Sequence, residues 1–269
     1  MRHLAHIFTE LTEGLAAGGS LLLLTDYDGT LTPLVADPEE AWLPREVRDD
    51  LRLLAQSPLV CLGILSGRSL GDLRARVGIR GPIYAGCHGL ELEGPGFSFR
   101  HPEAEGQRES IRVLACSLNG RLSRFKGARV EPKGLSVAVH YRNVAPDSVE
   151  WLLLELEQAL CEQRGVFKAL PGKKAVEILP RVQWSKGECA LWILDRLTPA
   201  LRWPLRALYV GDDRTDEPAF DALAGKAITA RVGPGRALSA AAYRLRDVAA
   251  VHRLLSALAA EVGDRRHQP

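Results

Sequence analysis

Short apolar segments alternate with helical patterns towards both ends of the chain. Four apolar runs have the length of buried strands and lie at 21–24, 59–65, 83–85 and 207–210. Apolar residues recur at helical spacing over 43–55, 187–197 and 248–260. Strands that alternate with helices predict an α/β fold, with a Rossmann-like parallel sheet and helices on both of its faces.

The middle of the chain has a different order of elements. Two rounds of one helix followed by two strands occupy 103–125, 129–132, 135–141, 149–160, 166–170 and 174–179. This order predicts an antiparallel sheet with helices on one face. We therefore predict that an α+β domain, 103–180, is inserted into an α/β core formed by 1–102 and 181–269.

The composition narrows the class of protein. Of the 269 residues, 46% are hydrophobic and 25% are charged, which is typical of soluble globular proteins. The net charge of +2 is too small to indicate a nucleic-acid or membrane partner. Five cysteines without a CxxC pair favour free thiols in a reducing compartment. The longest apolar run is far shorter than the ~20 residues of a membrane span, so we predict a cytoplasmic protein.

Two carboxylates follow the first apolar run, in the sequence Asp-Tyr-Asp-Gly-Thr. Residues i and i+2 of a strand share a face, so the side chains of Asp26 and Asp28 can reach one small volume. Like charges held that close need a cation or a shared proton. The pair therefore indicates metal-assisted chemistry, although Asp pairs also occur at ordinary turns.

Three further segments carry polar groups where a predicted strand ends or a predicted helix begins. Ser66, in Ser-Gly-Arg, has a hydroxyl group that can donate to a phosphate oxygen. Lys186 precedes a helix and offers a fixed positive charge to an anion. The last segment carries three acidic residues, Asp212, Asp213 and Asp216. Acidic residues also complement a helix N-terminus without any catalytic role, so no segment is decisive alone.

Topology predicts that the four segments meet. In open α/β sheets, ligands bind outside the carboxyl ends of the strands. Carboxylates in this number suit a hard cation such as Mg²⁺, which prefers oxygen ligands. A serine and a lysine suit a phosphate group, and the sequence lacks the His/Cys spacing of a zinc site.

Taken together, the four segments resemble the four motifs of the haloacid dehalogenase superfamily of phosphotransferases. Because the segments are spread from residue 26 to residue 216, the resemblance covers nearly the whole chain. Segments at 86–91, 131–133, 140–142 and 172–180 resemble trehalose-6-phosphate phosphatases in particular. The resemblance implies a haloacid-dehalogenase-type core in which the insert is a cap domain. It also implies Mg²⁺-dependent hydrolysis of trehalose 6-phosphate to trehalose and phosphate, in trehalose biosynthesis.

The resemblance assigns catalytic roles to four residues. Asp26 would attack phosphorus and form an aspartyl-phosphate intermediate. Asp28 would protonate the leaving sugar oxygen and then accept a proton from the hydrolytic water. Ser66 and Lys186 would stabilise the charge on the phosphoryl oxygens.

The resemblance also implies a metal site and a substrate site. Mg²⁺ would bind Asp26, the backbone carbonyl of Asp28, and Asp212, and Asp213 and Asp216 would complete the site. The residues expected to bind the sugar phosphate are polar or charged: Arg68, His88, Glu131, Lys133, His140, Arg142, Lys173 and Glu177. A trehalose-6-phosphate synthase of the same pathway is the protein partner that the resemblance implies.

The sequence departs from the family's usual motifs at two places, which leaves the identity of the substrate open. Several alternative functions also remain open. Cys87 stands where a small or amide side chain is usual, and Trp184 and Ser185 precede Lys186 where Asn or Asp is common. Related phosphatases of sucrose phosphate, mannosylglycerate-type or glucosylglycerol phosphate esters share the core and cap class. A non-catalytic sugar-phosphate sensor would have lost catalytic residues that this chain keeps. In phosphomutases the cap usually lies between the first two motifs, where this chain is short.

Overall fold

The computed structural model describes residues 2–35, 37–163, 165–234 and 238–265. The helices are α1 (Arg2–Ala16), α2 (Arg45–Ala55), α3 (Leu70–Val77), α4 (Pro102–Gly106), α5 (Arg108–Leu122), α6 (Pro146–Glu162), α7 (Lys186–Leu197), α8 (Glu217–Ala222) and α9 (Val248–Arg265). The strands are β1 (Ser20–Asp26), β2 (Val60–Leu65), β3 (Ile83–Gly86), β4 (Glu91–Gly94), β5 (Phe97–Arg100), β6 (Arg129–Pro132), β7 (Val137–His140), β8 (Phe167–Gly172), β9 (Ala175–Pro180), β10 (Leu205–Gly211), β11 (Ile228–Val232) and β12 (Tyr243–Leu245). The chain divides into a larger unit, Met1–Phe99 with Trp184–Pro269, and a smaller unit, Arg100–Gln183.

The larger unit contains a mostly parallel sheet in the order β12-β11-β10-β1-β2-β3-β4-β5. The pairs from β12 through to β3 are parallel, and β4 runs antiparallel to β3. The predicted α/β fold with a parallel sheet is confirmed.

The central strand β1 explains why both faces of this sheet are covered. All seven of its residues are buried. Because side chains alternate along a strand, Leu21 and Leu23 pack on one face with α1, α2, α3 and α9. Leu22 and Leu24 pack on the other face with α7 and α8. A strand buried on both faces has a continuous apolar sequence, as the four leucines have.

The smaller unit contains a four-stranded antiparallel sheet in the order β6-β7-β9-β8. Val137, Val139, Val176 and Ile178 lie on one face and form a core with the apolar residues of α5 and α6. Because strand side chains alternate, Glu131, His140 and Glu177 lie on the opposite face, which we call the polar face.

Several elements differ from the sequence-based predictions. The helix predicted at 103–125 is two helices, α4 and α5, separated at Gln107, which ends one helix and begins the other. α1, α3, α8 and the strands β4, β5, β11 and β12 were not predicted. Among the described residues, the structure contains no helix that is both long enough and apolar enough to cross a membrane.

Candidate active site

The ends of three neighbouring parallel strands bring the acidic segments together. Asp26, the last residue of β1, pairs with Leu65 of β2, and Thr25 pairs with Val210 of β10. Ser66 therefore follows β2, and Asp212 follows β10, at the same edge of the sheet. The pairing of β1 with β2 and β10 thus brings these strand ends to one edge of the sheet, as the topology predicted.

Lys186 links two of these segments. Its Nζ donates to Asp26 Oδ1 at 2.6 Å and to Asp216 Oδ1 at 2.7 Å, and the lysine side chain is only 3% exposed. Lys186 is the first residue of α7, and the preceding residue, Ser185, caps the helix by accepting a 3.0 Å bond from Gly187 N–H. The cap fixes where the helix begins and therefore where the ammonium group lies.

Charge in this buried cluster shifts the pKa values of its members. Burial raises the pKa of Asp26, and the charges of Asp216 and Asp212 raise it further, whereas Lys186 opposes the shift. Burial alone would lower the pKa of Lys186, but the charges of Asp216 and Asp26 outweigh it and raise that pKa. Lys186 is therefore a permanent cation in the site.

Asp216 is a fully buried acceptor with four hydrogen bonds. Its Oδ1 accepts from Lys186 and from Tyr209 Oη at 2.8 Å. Its Oδ2 accepts from the backbone N–H groups of Asp212 and Asp213, both at 3.0 Å. Because burial raises the pKa of Tyr209, its hydroxyl keeps the proton that it donates. Asp216 thus fixes both the lysine and the acidic loop.

The predicted metal residues fall into two groups. Carboxylate oxygens of Asp26, Asp212 and Asp216 lie within 4.8 Å of one another. With Lys186, they leave an excess of two formal negative charges in the ionised cluster. All-oxygen donors and this charge fit a hard divalent cation.

The other two predicted metal residues use their carboxylates elsewhere. The Asp213 carboxylate caps the short 3₁₀ turn Arg214–Asp216. The Asp28 carboxylate accepts two bonds from Arg68, at 2.6 and 2.7 Å.

Arg68 forms a chain of ion pairs. Besides Asp28, it donates to Asp72 at 2.8 Å, and Arg76 donates to the same Asp72 carboxylate at 2.8 Å. Burial would raise the pKa of Asp72, but the hydrogen bonds from Arg76 and Arg68 lower it. The arginine predicted to bind substrate is thus nearly buried and bonded to two carboxylates.

Ser66 lies in a loop that contacts His88. Ser66 Oγ accepts a 3.1 Å bond from Arg68 N–H, and Ser66 C=O accepts a 2.9 Å bond from His88 N–H. The His88 ring lies directly against Gly67, where a Cβ would come within 2.7 Å of its Nε2. The structure therefore places Ser66, Arg68 and His88 in one loop cluster of the larger unit.

Four of the predicted sugar-binding residues of the smaller unit form two hydrogen-bonded pairs on its polar face. His140 Nε2 contacts Glu131 Oε2 at 2.6 Å, and Lys133 Nζ donates to Glu177 Oε2 at 2.9 Å. Glu131 and Glu177 share a face because both pair with Ala138 of the strand between them. 

Electrostatics keep Glu131 ionised. Burial alone would raise the pKa of Glu131, but its bond to His140 and the charge of Lys133 lower that pKa to about 2. Of the remaining candidates, Arg142 donates to the Lys173 carbonyl oxygen at 3.2 Å, and both side chains are exposed.

Three residues of these networks were missed by sequence reasoning. Tyr209 is part of an apolar strand and gave no polar signal. Asp72 lies in a helix that was not predicted. Ser136, whose Oγ donates to Glu177 at 2.6 Å, follows the alternation of its strand and resembled a solvent-facing residue.

Comparison with known proteins identifies the family. The model of the trehalose-phosphatase family matches residues 24–248. The chain belongs to the trehalose-phosphatase family. The matched region contains every residue placed in the site above, and the predicted resemblance is confirmed.

Curated relatives share about two fifths of their residues with the chain. A trehalose-phosphate phosphatase of Mycobacterium tuberculosis is 40% identical over 213 residues, which are 78% of the chain and 53% of that protein. One of Mycobacterium marinum is 38% identical over 244 residues, covering 88% of the chain and 61% of the relative. The chain thus spans little more than half the length of these trehalose-phosphatase relatives.

Solved structures share the fold. The C-terminal domain of Candida albicans trehalose-6-phosphate phosphatase aligns with a TM-score of 0.77 at 23% identity, over 96% of the chain and 97% of that domain. The C-terminal domain of a Candida albicans trehalose synthase regulatory protein aligns with a TM-score of 0.72 at 13% identity, over 94% and 98%. The same fold therefore occurs in a phosphatase and in a regulatory protein, so the fold alone does not determine activity.

Gly29 provides a test of the packing around Asp212. Gly29 has φ +89°, and a Cβ there would lie 2.2 Å from Asp212 Oδ2, whereas Gly18 has φ +81° and open space around it. We expect Gly18→Ala to lower the free energy of unfolding by about 1–2 kcal/mol, the cost of a left-handed alanine. Gly29→Ala should lower it further, because Asp212 must move. Urea unfolding of both variants measures the difference, and equal losses would contradict this account of the Gly29–Asp212 contact.

Proposed function

We propose that the chain hydrolyses trehalose 6-phosphate to trehalose and phosphate. The observation that carries the proposal is the buried contact of Lys186 with Asp26, beside Asp212 and Asp216, in a chain of the trehalose-phosphatase family. A non-catalytic sensor would not need a buried lysine bonded to a strand-end carboxylate. Burying such ions costs several kcal/mol each, and the proposed reaction gives the buried Lys186 and Asp26 a direct role.

Asp26 is the nucleophile of the proposed reaction. A carboxylate oxygen of Asp26 bonds to phosphorus as the bond from phosphorus to the sugar oxygen breaks, which gives an aspartyl-phosphate. Water then attacks phosphorus, and the bond to Asp26 breaks to release phosphate. Lys186 holds one oxygen of the carboxylate, Oδ1, and thereby orients the group.

Asp28 is the proposed acid and base. It enters the first step protonated and gives that proton to the sugar oxygen, and in the second step it takes a proton from the attacking water, which restores the acid form. The two bonds from Arg68, at 2.6 and 2.7 Å, hold the Asp28 carboxyl group in one orientation. We infer that Asp28 leaves Arg68 when it protonates the sugar oxygen.

Lys186 and Ser66 are the proposed phosphate-binding groups. The permanent charge of Lys186 and the hydroxyl donor of Ser66 stabilise charge on the phosphoryl oxygens. Lys186 lies at the capped start of α7, and Ser66 directly follows the end of β2. Such groups need little reorganisation when the reaction occurs.

Asp26 and Asp212 are the residues that we propose hold a Mg²⁺ ion. When bound, the ion would neutralise repulsion between the anionic nucleophile and the anionic phosphate. The four hydrogen bonds of Asp216 occupy its oxygens, so we assign it to positioning Lys186 and Asp212. The capping role of Asp213 similarly favours a structural contribution.

The polar face of the smaller unit supplies the proposed sugar-binding groups. Two sugar rings present many hydroxyl groups, and recognition requires charged acceptors and donors held in place. The requirement is met by two hydrogen-bonded pairs that fix their side chains, Lys133 with Glu177 and His140 with Glu131. We propose that this unit acts as the cap domain, with Ser136 orienting Glu177.

Replacement of the nucleophile tests the reaction chemistry. Asp26→Asn keeps the shape of the side chain but removes the attacking carboxylate, so kcat should fall by about a thousandfold or more. Circular dichroism should show an intact fold. The matched control is Asp49→Asn, at a half-exposed residue of α2. Residual turnover well above a thousandth of wild type would argue against Asp26 as nucleophile.

Chelation tests the metal. EDTA should abolish phosphate release, and added Mg²⁺ should restore it. Binding of Mg²⁺ should also raise the free energy of unfolding by roughly 2–3 kcal/mol at a hundredfold excess over Kd. Asp212→Asn should lose this stabilisation, while the control Asp49→Asn should keep it. An unfolding free energy that Mg²⁺ leaves unchanged in the wild type would contradict the assignment.

A panel of esters tests the substrate. Phosphate release should be fastest, by kcat/KM, with trehalose 6-phosphate and slower with sucrose, mannosylglycerate-type, glucosylglycerol and glucose 6-phosphate esters. Glu131→Gln should raise KM for trehalose 6-phosphate without changing hydrolysis of p-nitrophenyl phosphate, which has no sugar. If trehalose 6-phosphate ranks no higher than glucose 6-phosphate, the proposed specificity is wrong.

A further inference from the structure

Trp184 connects the segment that carries Lys186 to another part of the larger unit. Its indole Nε1 donates to the carbonyl oxygen of Gly89 at 2.7 Å. Trp184 lies only two residues before Lys186. The bond therefore fixes the chain just before the catalytic lysine.

The residue that accepts this bond belongs to an unusual turn. Cys87, His88 and Gly89 have φ values of +48°, +59° and +90°. Left-handed conformations are uncommon for residues other than glycine, and two in succession persist only when neighbouring contacts hold them. Such strained turns concentrate at functional sites.

Backbone bonds hold this turn against the Ser66 loop. Cys87 N–H donates to Arg68 C=O at 2.7 Å, and His88 N–H donates to Ser66 C=O at 2.9 Å. Any displacement of the turn would therefore displace the loop that carries Ser66.

The other side of the turn packs against the start of α7. A Cβ on Gly89 would lie 2.5 Å from Cys189 Cβ and 3.3 Å from Trp184 Nε1. Cys189 lies one helical turn after Lys186. The turn thus contacts both the loop of Ser66 and the helix that begins with Lys186.

Aromatic packing fixes the orientation of the indole. The Trp184 ring stacks on Phe99 with centroids 5.3 Å apart, and Phe99 packs on Trp192 at 4.9 Å. The ring stack and the Nε1–H bond are separable, because phenylalanine keeps the first and removes the second.

We propose that Trp184 is a positioning residue that sets the distance between Lys186 and Ser66 through the 87–89 turn. The inference rests on the proposed function, in which both groups contact the same phosphoryl oxygens. Two donors that must meet one small anion tolerate little displacement, and an error of about 1 Å lowers turnover by roughly a hundredfold. The contribution falls on the chemical step and not on sugar recognition.

Trp184→Phe tests the proposal, with Trp192→Phe as the matched control in the same aromatic cluster. Each is assayed with trehalose 6-phosphate and with p-nitrophenyl phosphate. We expect Trp184→Phe to lower kcat about 10- to 100-fold on both esters, with KM within about twofold. The control should keep wild-type kcat, and both variants should unfold at similar temperatures.

Different results of these assays test the positioning role of Trp184 and the proposed substrate. An unchanged kcat in Trp184→Phe, or equal losses in both variants, would overturn the positioning role. Wild-type protein that hydrolyses p-nitrophenyl phosphate but not trehalose 6-phosphate would refute the proposed substrate, and the variants would still test the inference on the simpler ester. Wild-type protein that hydrolyses neither would refute both.

Nuclear magnetic resonance gives a readout independent of activity. The five tryptophans of the chain should give five indole N–H signals, and Trp184→Phe identifies its own signal by removing it. That proton should exchange slowly with solvent because it is bonded to Gly89. Exchange as fast as that of exposed Trp203 would contradict the bond on which the inference depends.

Discussion

The ammonium group of Lys186 joins two carboxylates that lie 160 and 30 residues away along the chain. Buried ions lose hydration, at a cost of several kcal/mol each, and only close contacts with opposite charge offset that loss. Removing one partner from such a network typically costs about 3–5 kcal/mol. The end of β1, the turn that follows β10 and the start of α7 must therefore meet at one point, or a buried charge is left without compensation. This constraint defines the site more strictly than the apolar core does.

Glycines make the close approach of these segments possible. A Cβ on Gly211 would lie 2.3 Å from the carboxyl carbon of Asp216, so the loop folds back on itself only where a side chain is missing. Gly29 leaves the same kind of space for Asp212. The acidic residues that meet in this space have different hydrogen-bonding roles. Asp216 is bonded on both of its oxygens and holds Lys186 and the backbone of the acidic loop, whereas Asp26 accepts from Lys186 through Oδ1.

The parts that could be predicted from the sequence were those with a strong local pattern. The leucines of β1 are buried on both faces and therefore form a continuous apolar run. The acidic strand ends were predictable because parallel strands share one carboxyl edge. The contact between Arg68 and Asp28 was not, since it depends on how two loops meet in space. Tyr209 was not recognised either, because its ring belongs to the core and only its hydroxyl reaches Asp216.

The stacking of Phe99 on Trp184 determines where the chain leaves the larger unit and where it returns. These residues are the last before the smaller unit and the first after it, and their ring centroids lie 5.3 Å apart. The chain therefore leaves the larger unit and returns to it at nearly one point. An insertion with adjacent ends can be lengthened, replaced or removed without disturbing the register of the parent sheet. A change of length or sequence confined to the smaller unit can therefore leave the contacts around Lys186 in place.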